Sequence, residues 1–501
     1  MRSRPRSPLV SAHYNHSFAQ PGHFIAEWFL ATSAKRPLRP RVRPRAKQPA
    51  APLLQAPAKQ PVGPLLVIAV VAAALGIRFF RFISQYSVNV LFYDQWDFFG
   101  SFFRGKPTFA ELFFWQHGPH REGVGLVADW FLYPATHWNV RAESFLIGAC
   151  IFIAMILALW IKRKLFGAFG YSDVAIPLIF LTLAQYETLI GTPNAAYAGF
   201  PLLLIMLYSL ALLVPRAPLR YGLVLLANFL LIYTGFGLFM GAVTLGYFAL
   251  ECYRSLRRIS PVRPLLPIGG LLLAAASLGS FFLNYTFSPA VDCFTPPGRD
   301  VLPYGRFMAL MFANFFGLKM SVEDLTLLGA ATLLLAVGVM ALQAINLLRG
   351  GGSGNTPVII AALLGYTLLF SANTAVGRLC LGLPLAAQVS RYATLLIPGY
   401  LAFYFFLQSI RFALPRAAGS LLLIALFYAD IGSAPQDHWS SIRWYANGKR
   451  AWVACYKQTG DIAHCDQATH FPIYPHPANT GLAAKLEYLK QHHLNLFADD
   501  N

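Results

Sequence analysis

The stretch FLIGACIFIAMILALWIKRK, residues 145–164, decides the class of fold. Its first seventeen residues carry no charge, and Lys162, Arg163 and Lys164 follow directly. A helix of about 20 mainly apolar residues crosses the hydrocarbon core of a bilayer. Basic residues at the end of such a helix favour the cytoplasmic side. The pattern therefore predicts a transmembrane helix, near 143–163, that ends in the cytoplasm.

The same pattern recurs along most of the chain. Of the 501 residues, 56% are hydrophobic and 12% are charged, whereas soluble domains carry roughly 25% charged residues. We therefore expect an all-α, polytopic transmembrane helical protein with about 11 spans. The predicted spans lie near 62–82, 143–163, 173–190, 197–214, 219–235, 237–252, 264–284, 325–347, 356–372, 392–411 and 414–432. The shorter segment 303–319 is predicted to be re-entrant or to lie in the membrane interface.

The positions of basic residues predict how these spans are oriented across the membrane. Lysines and arginines follow the second, fourth and sixth predicted spans, which places the N-terminus in the cytoplasm. The loop 83–142 and the tail 433–501 then lie on the outer side. The prediction is a multi-pass protein of the inner (cytoplasmic) membrane, with a transmembrane domain at 61–432 and a small extracytoplasmic C-terminal tail.

Residues 1–60 form a basic arm that holds eleven Lys and Arg and one acid, Glu27. A segment this rich in Pro and Arg cannot bury enough apolar surface to fold alone. It is predicted either to contact anionic lipid headgroups or to be a disordered cytoplasmic tail. No folded basic module accompanies it, so we expect no nucleic-acid binding.

Four of the six cysteines fall in predicted outer segments, where an oxidising compartment permits disulfides. They are Cys293, Cys380, Cys455 and Cys465, and four cysteines allow three connectivities. The closeness of two of them in sequence favours a Cys455–Cys465 pair. Unpaired cysteines are the alternative.

The first outer loop, 83–142, places carboxylates among aromatic residues. Its aromatic blocks, around 96–103 and 109–115, predict helices that lie in the membrane interface. Asp94 and Asp97 are three residues apart and share a face if the segment is helical. A carboxylate among aromatic rings loses hydration and becomes a better base. The alternative is that Asp94 only caps a helix.

A second polar cluster in this loop consists of His117, His120 and Arg121, around Pro119. An arginine binds a phosphate bidentately, and a histidine can neutralise a leaving phosphate or ligate a metal. Two histidines would need a carboxylate to complete a metal site, so a divalent metal is possible but no ligands are assigned. Histidines with only local hydrogen bonds are the alternative.

Residues 62–215 resemble the GT-C superfamily of membrane glycosyltransferases. The similarity rests on Tyr93-Asp94-Gln95-Trp96-Asp97, on His117-Gly118-Pro119-His120-Arg121, and on the second span with the basic residues after it. The resemblance implies a polyprenyl-phosphate-linked sugar as donor, a lipid or glycan acceptor, and an aspartate base at the outer face. Many relatives carry adjacent acids where this chain has Gln95 after Asp94, so Asp94 and Asp97 both remain candidates for the base.

A third polar cluster, at 373–392, is predicted to lie on the same side of the membrane. Arg378 and Arg391 would clamp the phosphate of a lipid-linked sugar, or would extend to lipid headgroups. Glu187, at the end of the predicted third span, is a further candidate for lining the same cavity.

Together these patterns predict an inverting membrane glycosyltransferase of the cell envelope. Its partners would be a polyprenyl-phosphate-linked sugar, a lipid or glycan acceptor, and membrane lipids. A transporter or flippase would use the same arginines without a base, and a polymerase or ligase of lipid-linked glycans is a further alternative. The chain has neither Gly-x-Gly-x-x-Gly nor Gly-x-x-x-x-Gly-Lys, which argues against a nucleotide-sugar donor.

Overall fold

A computed structural model of the protein describes residues 61–257, 262–289, 291–349, 354–432, 436–475 and 481–498. The basic arm predicted at 1–60 lies outside these ranges. Within them most residues are helical, and the one sheet consists of two strands of two residues each. The all-α prediction is therefore confirmed.

The elements are named in chain order. The first part of the chain contains α1 (Val62–Tyr86), α2 (Gln95–Phe98), α3 (Gly100–Phe103), α4 (Phe109–Phe113), β1 (Gln116–His117), β2 (His120–Arg121) and α5 (Gly123–Ala135). The central bundle contains α6 (Val140–Phe166), α7 (Ala175–Phe180), α8 (Gly199–Leu212), α9 (Ala217–Ile232), α10 (Leu238–Leu256), α11 (Leu265–Phe281), α12 (Leu302–Asn314), α13 (Val322–Leu348), α14 (Thr356–Arg378), α15 (Ala393–Ser409) and α16 (Ala413–Gly432). The tail contains α17 (Gln436–Thr459), α18 (Ile462–Thr469) and α19 (Leu482–Gln491).

Four helices in the described part of the chain are long and apolar enough to cross a membrane. They are α1, α6, α13 and the helical stretch Thr356–Leu381, which includes α14. Shorter apolar helices accompany them, among them α8, α9 and α11. This composition is that of a membrane protein. Each predicted span other than 173–190 coincides with one helix.

The predicted span at 173–190 is wrong as a single helix. α7 ends at Phe180, and a 3₁₀ turn at Leu183–Gln185 and a π turn at Glu187–Gly191 follow it. The side-chain amide of Gln185 donates hydrogen bonds to the carbonyls of Phe180 and Thr182, at 2.7 and 3.0 Å. Because a side chain takes these carbonyls in place of the next backbone N–H groups, the helix stops there.

Glycines allow close contacts between helices of the bundle. A Cβ atom at Gly199 would lie 3.2 Å from the Cα of Ile147, so α8 packs closely on α6. At Gly329 a Cβ would lie 1.8 Å from the carbonyl oxygen of Ala309, so α13 packs on α12. α12 is about 20 Å long, too short for a straight crossing of a core about 30 Å thick.

The basic cluster after α6 is partly internal. Lys162 Nζ lies 2.6 Å from Asp173 Oδ2, and both side chains are buried. The hydroxyl of Tyr404 donates a hydrogen bond to the other oxygen of Asp173. Lys162 therefore links α6 to α15, whereas Arg163 and Lys164 are exposed.

The C-terminal tail packs directly on the first loop. The backbone N–H of Tyr93 donates to the carbonyl of Ile473 at 2.8 Å, and that of Asn495 donates to His137 at 2.8 Å. Large side chains from both segments, among them Trp96 and Trp452, form one apolar cluster. Burial of this shared cluster removes apolar surface of both segments from water, so the tail stabilises the loop.

Two disulfides lie near this end of the bundle. Cys455 is bonded to Cys465, which confirms the favoured pairing, and Cys293 is bonded to Cys380. The first bond closes the turn between α17 and α18. The second ties the segment before α12 to the residues that follow α14.

Candidate functional site

A cavity of about 60 Å³ lies between the first loop, the segment 188–198 and the segment 378–395. One water molecule needs roughly 10–15 Å³ of such space, so the cavity has room for several waters or for one anionic group, such as a phosphate, of a larger ligand. Its lining includes five of the residues predicted from sequence: Asp94, His117, His120, Arg378 and Arg391. Residues far apart in the chain therefore meet at one point.

Asp94 stands at the N-terminus of α2 but does not cap it. Its side chain makes no capping hydrogen bond, so the alternative that Asp94 is only a helix cap is wrong. Gln95 holds the turn instead, because its amide accepts from the N–H of Phe92 at 3.0 Å and donates to the carbonyl of Pro193 at 2.7 Å. The carboxylate of Asp94 is exposed and lines the cavity.

Asp97 does not join Asp94 at the cavity. Its Oδ2 accepts a hydrogen bond from the hydroxyl of Tyr474, at 2.9 Å. That contact directs the carboxylate toward the C-terminal tail. The two aspartates, although three residues apart on one short helical turn, therefore have different partners.

The two predicted histidines come together through a tight hairpin. β1 and β2 pair His117 with His120, and Gly118 between them has φ 52°, a backbone conformation that favours glycine. The imidazole of His120 lies against the ring of Phe236, with centroids 4.6 Å apart. Burial, with the charge of Arg378 nearby, lowers the pKa of His120 to about 3. The ring is therefore neutral at pH 7 and offers a hydrogen bond rather than a positive charge.

Arg121, predicted to contact phosphate, points away from the cavity. Its guanidinium donates to the backbone carbonyls of Phe281, at 2.7 Å, and of Phe114 and Leu283. The residue is buried, with 2% exposure. This arrangement contradicts a phosphate contact, because each of the three guanidinium nitrogens already donates to a backbone carbonyl. Two of these carbonyls lie at the end of α11, and the third follows α4.

Glu122 is a cavity residue that the sequence analysis did not select. It is fully buried, and Asn194 donates to its Oε2 at 2.8 Å. No hydrogen bond of good geometry reaches Oε1 in the described part of the chain, although Tyr197 lies close to the carboxylate. Burial raises the pKa of Glu122 to about 7. A carboxyl group with this pKa can take up and release a proton at neutral pH.

A hydrogen bond from the backbone of Arg391 to Glu187 fixes the position of this arginine. Its N–H donates to Glu187 Oε2 at 3.1 Å, and the hydroxyl of Ser390 accepts from the N–H of Glu187 at 3.2 Å. Burial alone would lower the pKa of Arg391, but Tyr392, Glu187 and Asp94 nearby raise it above its ordinary value, so the guanidinium is positively charged. Glu187 therefore supports Arg391, and it does not line the cavity itself.

The tail supplies the second partner of Glu187. The hydroxyl of Tyr445 donates to Glu187 Oε1 at 3.0 Å. One helical turn later, Lys449 donates to the carbonyls of Ile190 and Gly191, at 3.0 and 2.6 Å. Lys449 is buried, which lowers its pKa to about 7. Neither residue was selected from the sequence, because a lone Tyr and a lone Lys in a polar helix carry no distinguishing pattern.

The arrangement suits the binding and reaction of an anionic group. Two guanidinium groups, of Arg378 and Arg391, face a cavity that also contains the carboxyl groups of Asp94 and Glu122. Guanidinium groups bind phosphate oxygens in a fixed geometry, and a carboxylate accepts a proton. Among the described residues, no group of three or more His, Cys, Asp and Glu side chains is arranged to hold a metal ion.

Comparison of the chain with known protein families, with curated proteins and with solved structures finds no match.

Proposed function

We propose that the protein is a membrane glycosyltransferase that uses a polyprenyl-phosphate-linked sugar. The observation that carries the proposal is the meeting of Asp94 with Arg378 and Arg391 at one cavity. A phosphate-linked donor requires positive charge at the leaving group, and an acceptor hydroxyl requires a base on the other side of the reacting carbon. The cavity supplies both.

In the proposed reaction Asp94 takes the proton of the acceptor hydroxyl. The hydroxyl oxygen forms a bond to the anomeric carbon of the sugar, and the bond from that carbon to the phosphate oxygen breaks. The polyprenyl phosphate leaves with the electron pair, and Arg378 and Arg391 balance its charge. One displacement inverts the anomeric carbon. The acceptor is a lipid or a glycan.

His117 and His120 would orient the phosphate by hydrogen bonds. The neutral state of His120 leaves the charge balance to the two arginines. Glu122 would accept the proton that Asp94 has taken, because its pKa of about 7 matches such a transfer. Asp97 and Arg121 have no role at the reacting atoms in this scheme.

The proposal places the cavity on the outer side of the cytoplasmic membrane. The disulfides support this side, because Cys380 lies two residues after Arg378 and forms a disulfide with Cys293. Disulfides persist in oxidising compartments. The N-terminus would lie in the cytoplasm, and about 11 spans would cross the membrane.

The test is sugar transfer by the full chain in liposomes that contain polyprenyl-phosphate hexoses. Asp94→Asn is expected to lower the transfer rate by about 10²–10⁴-fold, the usual contribution of a general base. Asp97→Asn, its matched control three residues away, should keep most of the rate. Equal rates for the two variants and the unaltered protein would exclude the aspartate mechanism.

The same liposomes separate this function from that of a transporter or flippase. A transporter needs Arg378 and Arg391 to hold the lipid phosphate but needs no base. Movement of the lipid-linked sugar across the bilayer that depends on Arg378 but not on Asp94, with no transfer product, would favour that alternative.

A further inference from the structure

A second, larger cavity lies between α8, α10, α13 and α14. It is a groove of about 530 Å³, within the usual size of a ligand site. Apart from the hydroxyl-bearing Tyr208 and Tyr247, its walls consist of Ala, Gly, Val, Leu and Met side chains. The groove is open at the side: Leu348 is 54% exposed and Leu369 is 41% exposed. In a membrane protein such an opening faces lipid.

The length of the groove matches one leaflet of a bilayer. Along α14 it runs from Val358 to Leu369, a rise of about 16 Å at 1.5 Å per residue. Along α10 it runs from Ala242 to Leu250, which is about 12 Å. Half of a hydrocarbon core about 30 Å thick is about 15 Å. One acyl chain of a membrane lipid therefore fits the groove end to end.

The groove extends to one particular end of the bundle. Its lining includes Leu212 and Leu348, the last residues of α8 and α13, and Val358 in the first turn of α14. The Asp94 cavity lies at the opposite ends of α10 and α14, because Phe236 precedes α10 and Arg378 is the last residue of α14. The two cavities are therefore separate.

The end that the groove reaches is positively charged. Five basic residues and one acid, Glu251, lie in the chain next to this end, in segments 213–220 and 251–257 and at residue 349. The basic residues are Arg216, Arg220, Arg254, Arg257 and Arg349. An anionic headgroup is attracted to such a cluster by about 1 kcal/mol per basic residue near a membrane surface.

Two of these arginines stand at the mouth of the groove. The guanidinium of Arg220 lies 4.0 Å from Glu251, and that of Arg254 lies 3.6 Å from the same carboxylate. Arg220 also lies beside Tyr247, which lines the groove. Both arginines therefore lie beside the groove, in segments whose described residues hold more basic than acidic side chains.

We propose that this groove binds an anionic phospholipid. One acyl chain would lie along α14, and the phosphate of the headgroup would contact Arg220 and Arg254. This site goes beyond the proposed sugar transfer and does not depend on it. Its occupant belongs to the leaflet opposite to the Asp94 cavity.

The test compares lipid binding by two glycine variants of the purified full chain. Gly246 lines the groove, and a Cβ there would have no atom within 4 Å, so the side chain of Gly246→Leu starts in open space and occupies part of the groove. Gly338→Leu is the matched control, because Gly338 is also an exposed helical glycine with open space around it but does not line the groove. Both changes replace Gly by a better helix former.

The measurement is native mass spectrometry with added phosphatidylglycerol or phosphatidylcholine. We expect the unaltered protein and Gly338→Leu to retain phosphatidylglycerol about tenfold better than Gly246→Leu. We expect Arg220→Gln to lose the preference for phosphatidylglycerol over phosphatidylcholine. Gel filtration verifies folding, and Ala361→Leu, also in the groove wall, replaces Gly246→Leu if that variant does not fold.

Two results would overturn the proposal. One is equal retention of phosphatidylglycerol by the groove variant and by Gly338→Leu. The other is equal retention of phosphatidylglycerol and phosphatidylcholine by the unaltered protein. Neither result bears on sugar transfer, which is measured separately with Asp94→Asn.

Discussion

The hydroxyl of Tyr445 donates a 3.0 Å hydrogen bond to Glu187 Oε1, while Oε2 of the same carboxylate accepts the N–H of Arg391 at 3.1 Å. One carboxylate thus connects the C-terminal tail to an arginine of the Asp94 cavity. The two partners are separated in sequence by 258 and 204 residues from Glu187. The C-terminal tail therefore helps to position a residue that lines the Asp94 cavity.

Tyr445→Phe removes only this tail contact. We expect weaker binding of inorganic pyrophosphate, used as an anionic probe of the cavity, by about fivefold, because a hydrogen bond to a charged group contributes about 1 kcal/mol or more. The measurement is isothermal titration calorimetry on the full chain in detergent.

Tyr456→Phe is the control for this experiment. Tyr456 belongs to the same helix but stacks on Trp452, with centroids 5.0 Å apart, away from Glu187. Equal affinities for the Tyr445→Phe and Tyr456→Phe proteins would show that the tail does not position Arg391.

Arg121 and Arg378 are expected to respond oppositely to replacement by Gln. Arg121→Gln removes the donors to the carbonyls of Phe114, Phe281 and Leu283. The contact with Phe281 is buried, and a buried group left without its partner costs about 1–3 kcal/mol. The variant should unfold at a lower temperature. Arg378→Gln should keep its unfolding temperature and lose affinity for pyrophosphate.

Thermal unfolding and calorimetry on both arginine variants test this contrast. If the Arg121→Gln protein is stable but binds pyrophosphate more weakly, Arg121 contacts the anion and the structural role given to it here is wrong. A strongly destabilised Arg378→Gln protein would make Arg378 a structural residue instead.

The raised pKa of Glu122 predicts that the stability of the protein depends on pH. Its pKa is about 7 in the folded chain against an ordinary value of 4.5, so the folded state binds the proton more tightly than the unfolded state. The resulting stabilisation is present below pH 4.5 and is lost as the pH rises through 7. The shift corresponds to about 3 kcal/mol.

The measurement is the difference in unfolding temperature between the unaltered protein and Glu122→Gln from pH 5 to pH 8. The unaltered protein should lose stability relative to the variant as the pH rises. Glu487→Gln, an exposed carboxylate on α19, is the control. A constant difference across the range would contradict the raised pKa of Glu122.

The Cys455–Cys465 bond should stabilise the tail. Replacing both cysteines by Ser is expected to lower the free energy of unfolding by about 2–4 kcal/mol, the usual contribution of a disulfide. Limited proteolysis between α17 and α18 should become faster. Cys252→Ser, which changes a free cysteine, is the control. Identical proteolysis patterns for the double variant and the control would argue against this role.

The positions of most helices could be predicted because each is a local pattern. A run such as 145–161 is apolar over enough residues for a long helix, whatever the rest of the chain does. The segment 173–190 has the same apolar character but not the same structure. There, contacts of the Gln185 side chain end the helix, and hydropathy does not register such contacts.

The site residues divide in the same way. Asp94 and the two histidines could be selected because polar groups next to apolar runs stand out in the sequence. Asp97 and Arg121 stand out equally, yet their side chains turn toward Tyr474 and toward backbone carbonyls. Local sequence does not encode those directions.

The sequence alone determined that the protein is helical, that it has long apolar helices, and which segments carry polar clusters. Composition and periodicity suffice for this, because they act over short distances along the chain. Only the tertiary structure decided that Asp94 meets Arg378 and Arg391, that Glu122 is buried beside them, and that Tyr445 supports the site through Glu187. Those relationships depend on how distant helices and the tail pack together, which no single stretch of the chain specifies.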